Sequence, residues 1–157
     1  KGNRVAMCSN GAGPIVASFD KIEKEKLSIG KISSQMLKKI QNHFSPSYII
    51  GKKGNPIDIA GGATAEDYKF IIKIFMDDPG VDIVMPWFVF QDDPLEEVII
   101  DYLEAFSKKK SKPILVGCNG GPYTKKISKL IEKKGIPVYD DVEMWLVAAR
   151  ALSNWNK

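Results

Sequence analysis

Arg4-Val5-Ala6-Met7-Cys8-Ser9-Asn10-Gly11-Ala12-Gly13-Pro14 decides the fold. Residues 4–8 are a β-branched and apolar run too short for a helix, which reads as a fully buried strand. The run stops at a glycine loop, and Pro14 is suited to the first turn of a following helix. Strand, glycines, helix is the repeating unit of a parallel sheet covered on both faces.

The same alternation continues along the chain. Residues 4–8, 56–59, 82–87, 113–117 and 137–139 are strand candidates, and residues 14–26, 33–43, 64–76, 94–109, 123–134 and 141–154 are amphipathic helix candidates. Thr64-Ala65-Glu66-Asp67 puts a capping hydroxyl before acidic first-turn residues, and Gly135 with Pro137 ends a helix whose last turn carries lysines. The expected architecture is three-layer α/β/α, a flavodoxin-like, doubly wound parallel sheet of five strands. Residues 45–55, rich in Gly, Pro and Ser, read as a surface loop.

At 157 residues the chain is one ordinary domain, spanning 1–157. It does not begin with Met, and Val5 already reads as core strand, so it is expected to be a piece of a longer multidomain polypeptide. No apolar run approaches the ~20 residues of a membrane span and no signal-peptide pattern opens the chain, so no membrane association and a cytoplasmic location are expected.

Of 23 Lys plus Arg, only Arg4 and Arg150 are Arg, and the lysines fall at helical spacings among glutamates. That is the pattern of solvated helix faces, and no nucleic-acid partner is expected. Cys8 and Cys118 read as reduced structural thiols, since two cysteines with one His make neither a disulfide scaffold nor a zinc site; no metal site is expected.

Ligands of open parallel sheets collect where strands feed helix N-termini. At Asn10, Gly11, Ala12 and Gly13, backbone N–H groups and the positive helix end favour a phosphoryl anion, using the amides around Gly11 to Gly13 with Ile15 and Val16. The loop lacks the Gly-Lys-Ser/Thr of a Walker motif and the third glycine of GxGxxG, so by itself it is equally a tight turn. Gly61 and Gly62, before Thr64, have the same layout and the same alternative. At Trp87, Phe88, Phe90 and Gln91, aromatic residues run past the strand into loop territory, where they line an apolar substrate pocket or belong to core or interface. Gly120-Gly121 repeats the strand-to-helix layout, and Cys118 beside it has no His or Lys pairing for a nucleophile. His43 ends a lysine-rich helix without a mobile glycine loop, so no catalytic residue is assigned in this chain.

Taken in order, Gly2 to Ala6 with Asn10 to Gly13, Asn55 to Asp58 with Gly61 to Thr64, Asp78 to Asp82, Lys112 to Val116, Gly135 to Tyr139 and the closing segment 148–155 resemble the ligase domain of the succinyl-CoA synthetase and ADP-forming acyl-CoA synthetase family. The resemblance spans nearly the whole chain. It implies an enzyme interconverting acid, CoA and ATP with acyl-CoA, ADP and phosphate through a phosphohistidine on another domain. The partners it implies are a CoA-binding and histidine-bearing domain, an ATP-grasp domain or subunit, and an organic acid or its acyl-CoA. CoA, ATP or ADP and Mg2+ would serve the whole enzyme, none held tightly by this domain, which is expected to be inert alone. The resemblance assigns the loop at Asn10 to Gly13 to phosphate or phosphohistidine and the loop at Trp87 to Gln91 to the acyl pocket. Here the latter departs from the glycine-rich form of relatives, which implies an acid other than succinate. The Gly120-Gly121 loop lacks an acidic residue that many relatives carry after the glycines, and it is assigned no role beyond shaping the site. Two other functions fit the same features, a regulatory or scaffolding module of a fused acyltransferase and a flavodoxin-like nucleotide binder.

Overall fold

The computed structural model describes residues 2–44, 49–52, 54–93 and 95–155. All five expected strands form: β1 (Arg4–Ser9), β4 (Ile57–Asp58), β5 (Ile83–Phe88), β6 (Val116–Cys118) and β7 (Val138–Tyr139). They run parallel in the order β4-β1-β5-β6-β7, the flavodoxin order, with the switch point between β1 and β5.

Two further strands of two residues each widen the expected sheet: β2 (Ser28–Ile29), parallel to the start of β1, and β3 (Ile49–Ile50), antiparallel to β4. β1 is paired with β5 along one edge, while β2 and β4 share the other edge at its two ends. Asn55 plugs the gap between them. Its Oδ1 accepts from Met7 N (2.8 Å), and its Nδ2 donates to Val5 O (2.7 Å) and Gly30 O (3.1 Å), so a buried side-chain amide completes the ladder. The expected surface loop at residues 45–55 therefore ends inside the sheet, with Asn55 only 2% exposed; Ser45–Tyr48 and Lys53 lie outside the described residues.

The helices are α1 (Ala12–Ile22), α2 (Ser34–His43), α3 (Ala65–Asp77), α4 (Ile99–Lys108), α5 (Pro122–Lys133) and α6 (Val142–Asn154). Successive strand side chains point to opposite faces. Val5 and Met7 of β1, with Ile83, Met85 and Trp87 of β5, pack under α1 and α6, whereas Ala6, Cys8, Val84 and Phe88 pack under α2 to α5. The three layers follow from that alternation.

α4 starts later than the helix expected from residue 94. Pro94 lies outside the described residues, and the chain before Ile99 makes short-range turns, with Leu95 N donating to Asp92 O and Ile99 N to Glu96 O. No helix among the described residues is long and apolar enough to cross a membrane.

Candidate functional site: two helix N-termini at the switch point

The loop after β1 and the loop after β5 meet at the switch point, and Asn10 joins them. Its Oδ1 accepts from Val89 N (2.8 Å) and its Nδ2 donates to Val89 O (3.0 Å). Tyr68 of α3 completes the joint. Its hydroxyl accepts from Asn10 N (2.7 Å) and lies 2.7 Å from both Asn10 Oδ1 and Trp87 O, either of which can take its single proton. Burial pushes the Tyr68 pKa well up, so the group stays neutral and keeps that proton. Asn10, 2% exposed, is thus a clasp whose polar atoms are engaged within the protein rather than turned toward a ligand.

The glycine loop opens just beyond the clasp. Gly11 N donates to Ser9 Oγ (3.1 Å), and Gly11 is the N-cap of α1. Since α1 begins at Ala12, Ile15 and Val16 lie inside the helix and Pro14 has no N–H, which leaves Ala12 and Gly13 as the outward amides. Both residues are exposed, no side chain caps the helix, and no acidic residue stands in its first turn. Of the four residues expected from the sequence to form the cradle, two amides are left outward, because Tyr68 takes Asn10 N and the nearby Ser9 hydroxyl takes Gly11 N.

Gly61 and Gly62 lead into a different kind of helix start. Thr64 Oγ1 accepts from Asp67 N (3.2 Å), and the Asp67 carboxylate accepts from Thr64 N (2.9 Å), a full capping box. Glu96, from the segment before α4, accepts from Ala65 N (2.8 Å). Burial raises the Asp67 pKa, but the backbone and hydroxyl hydrogen bonds from Thr64, helped by His43, outweigh it and hold the carboxylate below its usual range. Asp92 adds a third acid, with Oδ2 3.4 Å from where a Gly61 Cβ would stand. The start of α3 already holds its anions.

Trp87, Phe88 and Phe90 do not line a pocket. They are 1%, 0% and 5% exposed and belong to the core: Trp87 meets Trp145 edge-on at 5.2 Å, and Phe88 packs on Tyr68 (4.4 Å) and Phe90 (5.3 Å). Alternation along β5 sends Trp87 and Phe88 to opposite faces of the sheet, so they cannot share a cavity. Gln91 alone of the four is exposed, and its Nε2 lies 3.5 Å from Asn119 O.

The remaining reactive types are placed structurally. His43 stacks on Phe70 at 3.9 Å and pairs with Asp67 at 3.1 Å. Burial pushes the Cys8 thiol up strongly and raises Cys118 against a hydrogen bond with Ser128, so neither is a ready thiolate. Tyr68, Glu96 and Asp92 shape the site but carry no sequence signal, because each reaches it from a different element.

This is a doubly wound α/β domain of flavodoxin-like strand order, with one helix start open at the switch point and its neighbour closed. No protein-family model matches the chain. The sequence is 33% identical over 159 residues to the α subunit of acetate–CoA ligase [ADP-forming] II of Pyrococcus furiosus, covering 97% of this chain and 34% of that protein. It is 29% identical over 162 residues to the α subunit of the corresponding ligase I, covering 100% and 34%. A Pyrococcus horikoshii OT3 protein of known crystal structure superposes with a TM-score of 0.87 at 27% identity, covering 98% of this chain and 36% of that one. Over nearly its whole length the chain is similar to one domain of ADP-forming acetate–CoA ligase α subunits. It spans about a third of the length of the curated relatives it matches.

Proposed function

We propose that this domain supplies one wall of the phosphoryl-transfer site of an ADP-forming acyl-CoA synthetase, with Ala12 and Gly13 at the start of α1 facing the phosphate or phosphohistidine. The observation that carries the reading is the open end of α1 at the switch point, beside an α3 start that two carboxylates close. An exposed helix end favours an anion by about 0.3–1 kcal/mol, and up to ~2 kcal/mol when partly buried. That is enough to bias where a doubly charged group rests, and too little to do chemistry alone.

The histidine, the CoA-binding surface, and the ATP and Mg2+ sites are assigned to partner domains, and the isolated domain is inert. Support comes from the α subunits of the two Pyrococcus ligases and from a 4-hydroxybutyrate–CoA ligase [ADP-forming] of Nitrosopumilus maritimus, 28% identical over 160 residues. Because Trp87, Phe88 and Phe90 are core, choice of acid is left to Gln91 and to residues of the partner domains.

The test is transfer of labelled phosphate from ATP to histidine in the reconstituted enzyme carrying Ala12→Asp. Labelling that collapses while the protein stays folded supports the cradle. Labelling at the wild-type rate removes α1 from the site.

A further inference from the structure

A second helix start at the same edge of the sheet is open as well. α5 has Gly121 as N-cap with no side-chain cap, Pro122 at its first position and no acidic residue in its first turn. Pro122 has no N–H, so the outward amides are those of Gly121, Tyr123 and Thr124. A cavity of about 520 Å³ runs beside them, within the ~300–1,000 Å³ range of small-molecule sites, and Gly120, Thr124, Lys125 and Lys129 are among its lining residues.

Among the described residues, one buried group there has no hydrogen-bond partner. Thr124 is 2% exposed and its hydroxyl makes no hydrogen bond, although buried hydroxyls are normally satisfied. It points at the bare Cα of Gly120. A Cβ on Gly120 would stand 2.6 Å from Thr124 Oγ1 and 1.8 Å from Gln91 Nε2. Gly120 has φ +154°, so both the space and the backbone require glycine. Thr124, Lys125 and Lys129 thus line the cavity together with Glu132 and Asp140, and the Gln91 side-chain amide lies against Gly120 beside them.

We propose that this cavity binds the phosphoryl group of inorganic phosphate or of a small phosphate monoester, with Thr124 Oγ1 and the α5 amides as donors, Lys125 and Lys129 as counter-charges, and Gln91 as the movable cover. The carboxylates at Glu132 and Asp140 suit hydroxyls on the body of an ester. This site is separate from the start of α1 and does not rest on the function proposed for it.

The test is a titration of the ¹⁵N-labelled chain with inorganic phosphate at pH 7 and constant ionic strength, followed amide by amide. Saturable shifts at Gly121, Tyr123 and Thr124, weakened at least fivefold by Thr124→Val and by the exposed change Lys125→Gln, establish the site. Thr124→Val removes a hydroxyl that has no partner, so the free protein is expected to melt no lower than wild type. If that variant does not fold, Lys125→Gln decides alone. A parallel titration with glycerol 2-phosphate separates the two ligands: tighter binding than phosphate identifies an ester, and absent binding identifies the free ion. Shifts that do not saturate, that are confined to Ala12 and Gly13, or that survive both substitutions unchanged overturn the proposal.

Discussion

The starts of α1 and α3 share one sequence plan, strand then glycines then helix, and end in opposite electrostatic states. At α1 the N-cap is Gly11, whose N–H is taken by Ser9, and the helix shows two bare amides to solvent. At α3 the cap is Thr64, and carboxylates from Asp67 and Glu96 accept from Thr64 N and Ala65 N. Glycine loops of one plan therefore differ in whether the rest of the fold leaves their amides unclaimed.

The largest way to break the contrast is to remove what holds the α1 loop in place. Asn10→Ala strands Val89 N, Val89 O and part of Tyr68 away from water, and it should lower stability by about 2–4 kcal/mol in urea unfolding. A loss below ~1 kcal/mol would mean that water replaces the clasp. Next comes the closed helix: Thr64→Ala should cost about 1 kcal/mol through the lost cap, and a circular-dichroism melt without change would show the box to be idle.

The closed end should also be acid-sensitive. Asp67 has a lowered pKa in the folded state, so its contribution is complete above its unfolded value near ~3.9 and is lost as pH falls through the folded value. Unfolding free energies of wild type should drop below about pH 4 more steeply than those of Asp67→Asn, and equal slopes would contradict the assignment. The smallest effect has the opposite sign. Gly13→Asp puts an acid in the first turn of α1, where a Cβ meets nothing within 4 Å, and should stabilise by about 0.5 kcal/mol. The same change should block the proposed phosphoryl site of the full enzyme, which makes it a direct measure of what the open end forgoes in stability.

Much of the fold was legible because burial on both faces leaves continuous apolar runs: β1 and β5 stand within one residue of expectation, whereas α1 ends four residues before and α4 starts five residues after the expected bounds. β2 and β3 were not legible, since two residues carry no periodicity. Asn55 was read as loop because a buried amide and a solvated one have the same local sequence. In the site, Trp87, Phe88 and Phe90 illustrate a different failure: aromatic residues at a strand end fill a core or a pocket with equal ease, and here Trp145, Tyr68 and the neighbouring Phe rings claimed them.

The sequence by itself determined the alternation of buried strands and amphipathic helices, the two-faced core and the positions of the glycine loops, because these depend on local periodicity and backbone freedom. Only the tertiary structure decided which loop stays open. Tyr68 stands 58 residues from Asn10 and Glu96 31 residues from Ala65, so the hydrogen bonds that claim Asn10 N and Ala65 N exist only after the sheet has brought those elements together.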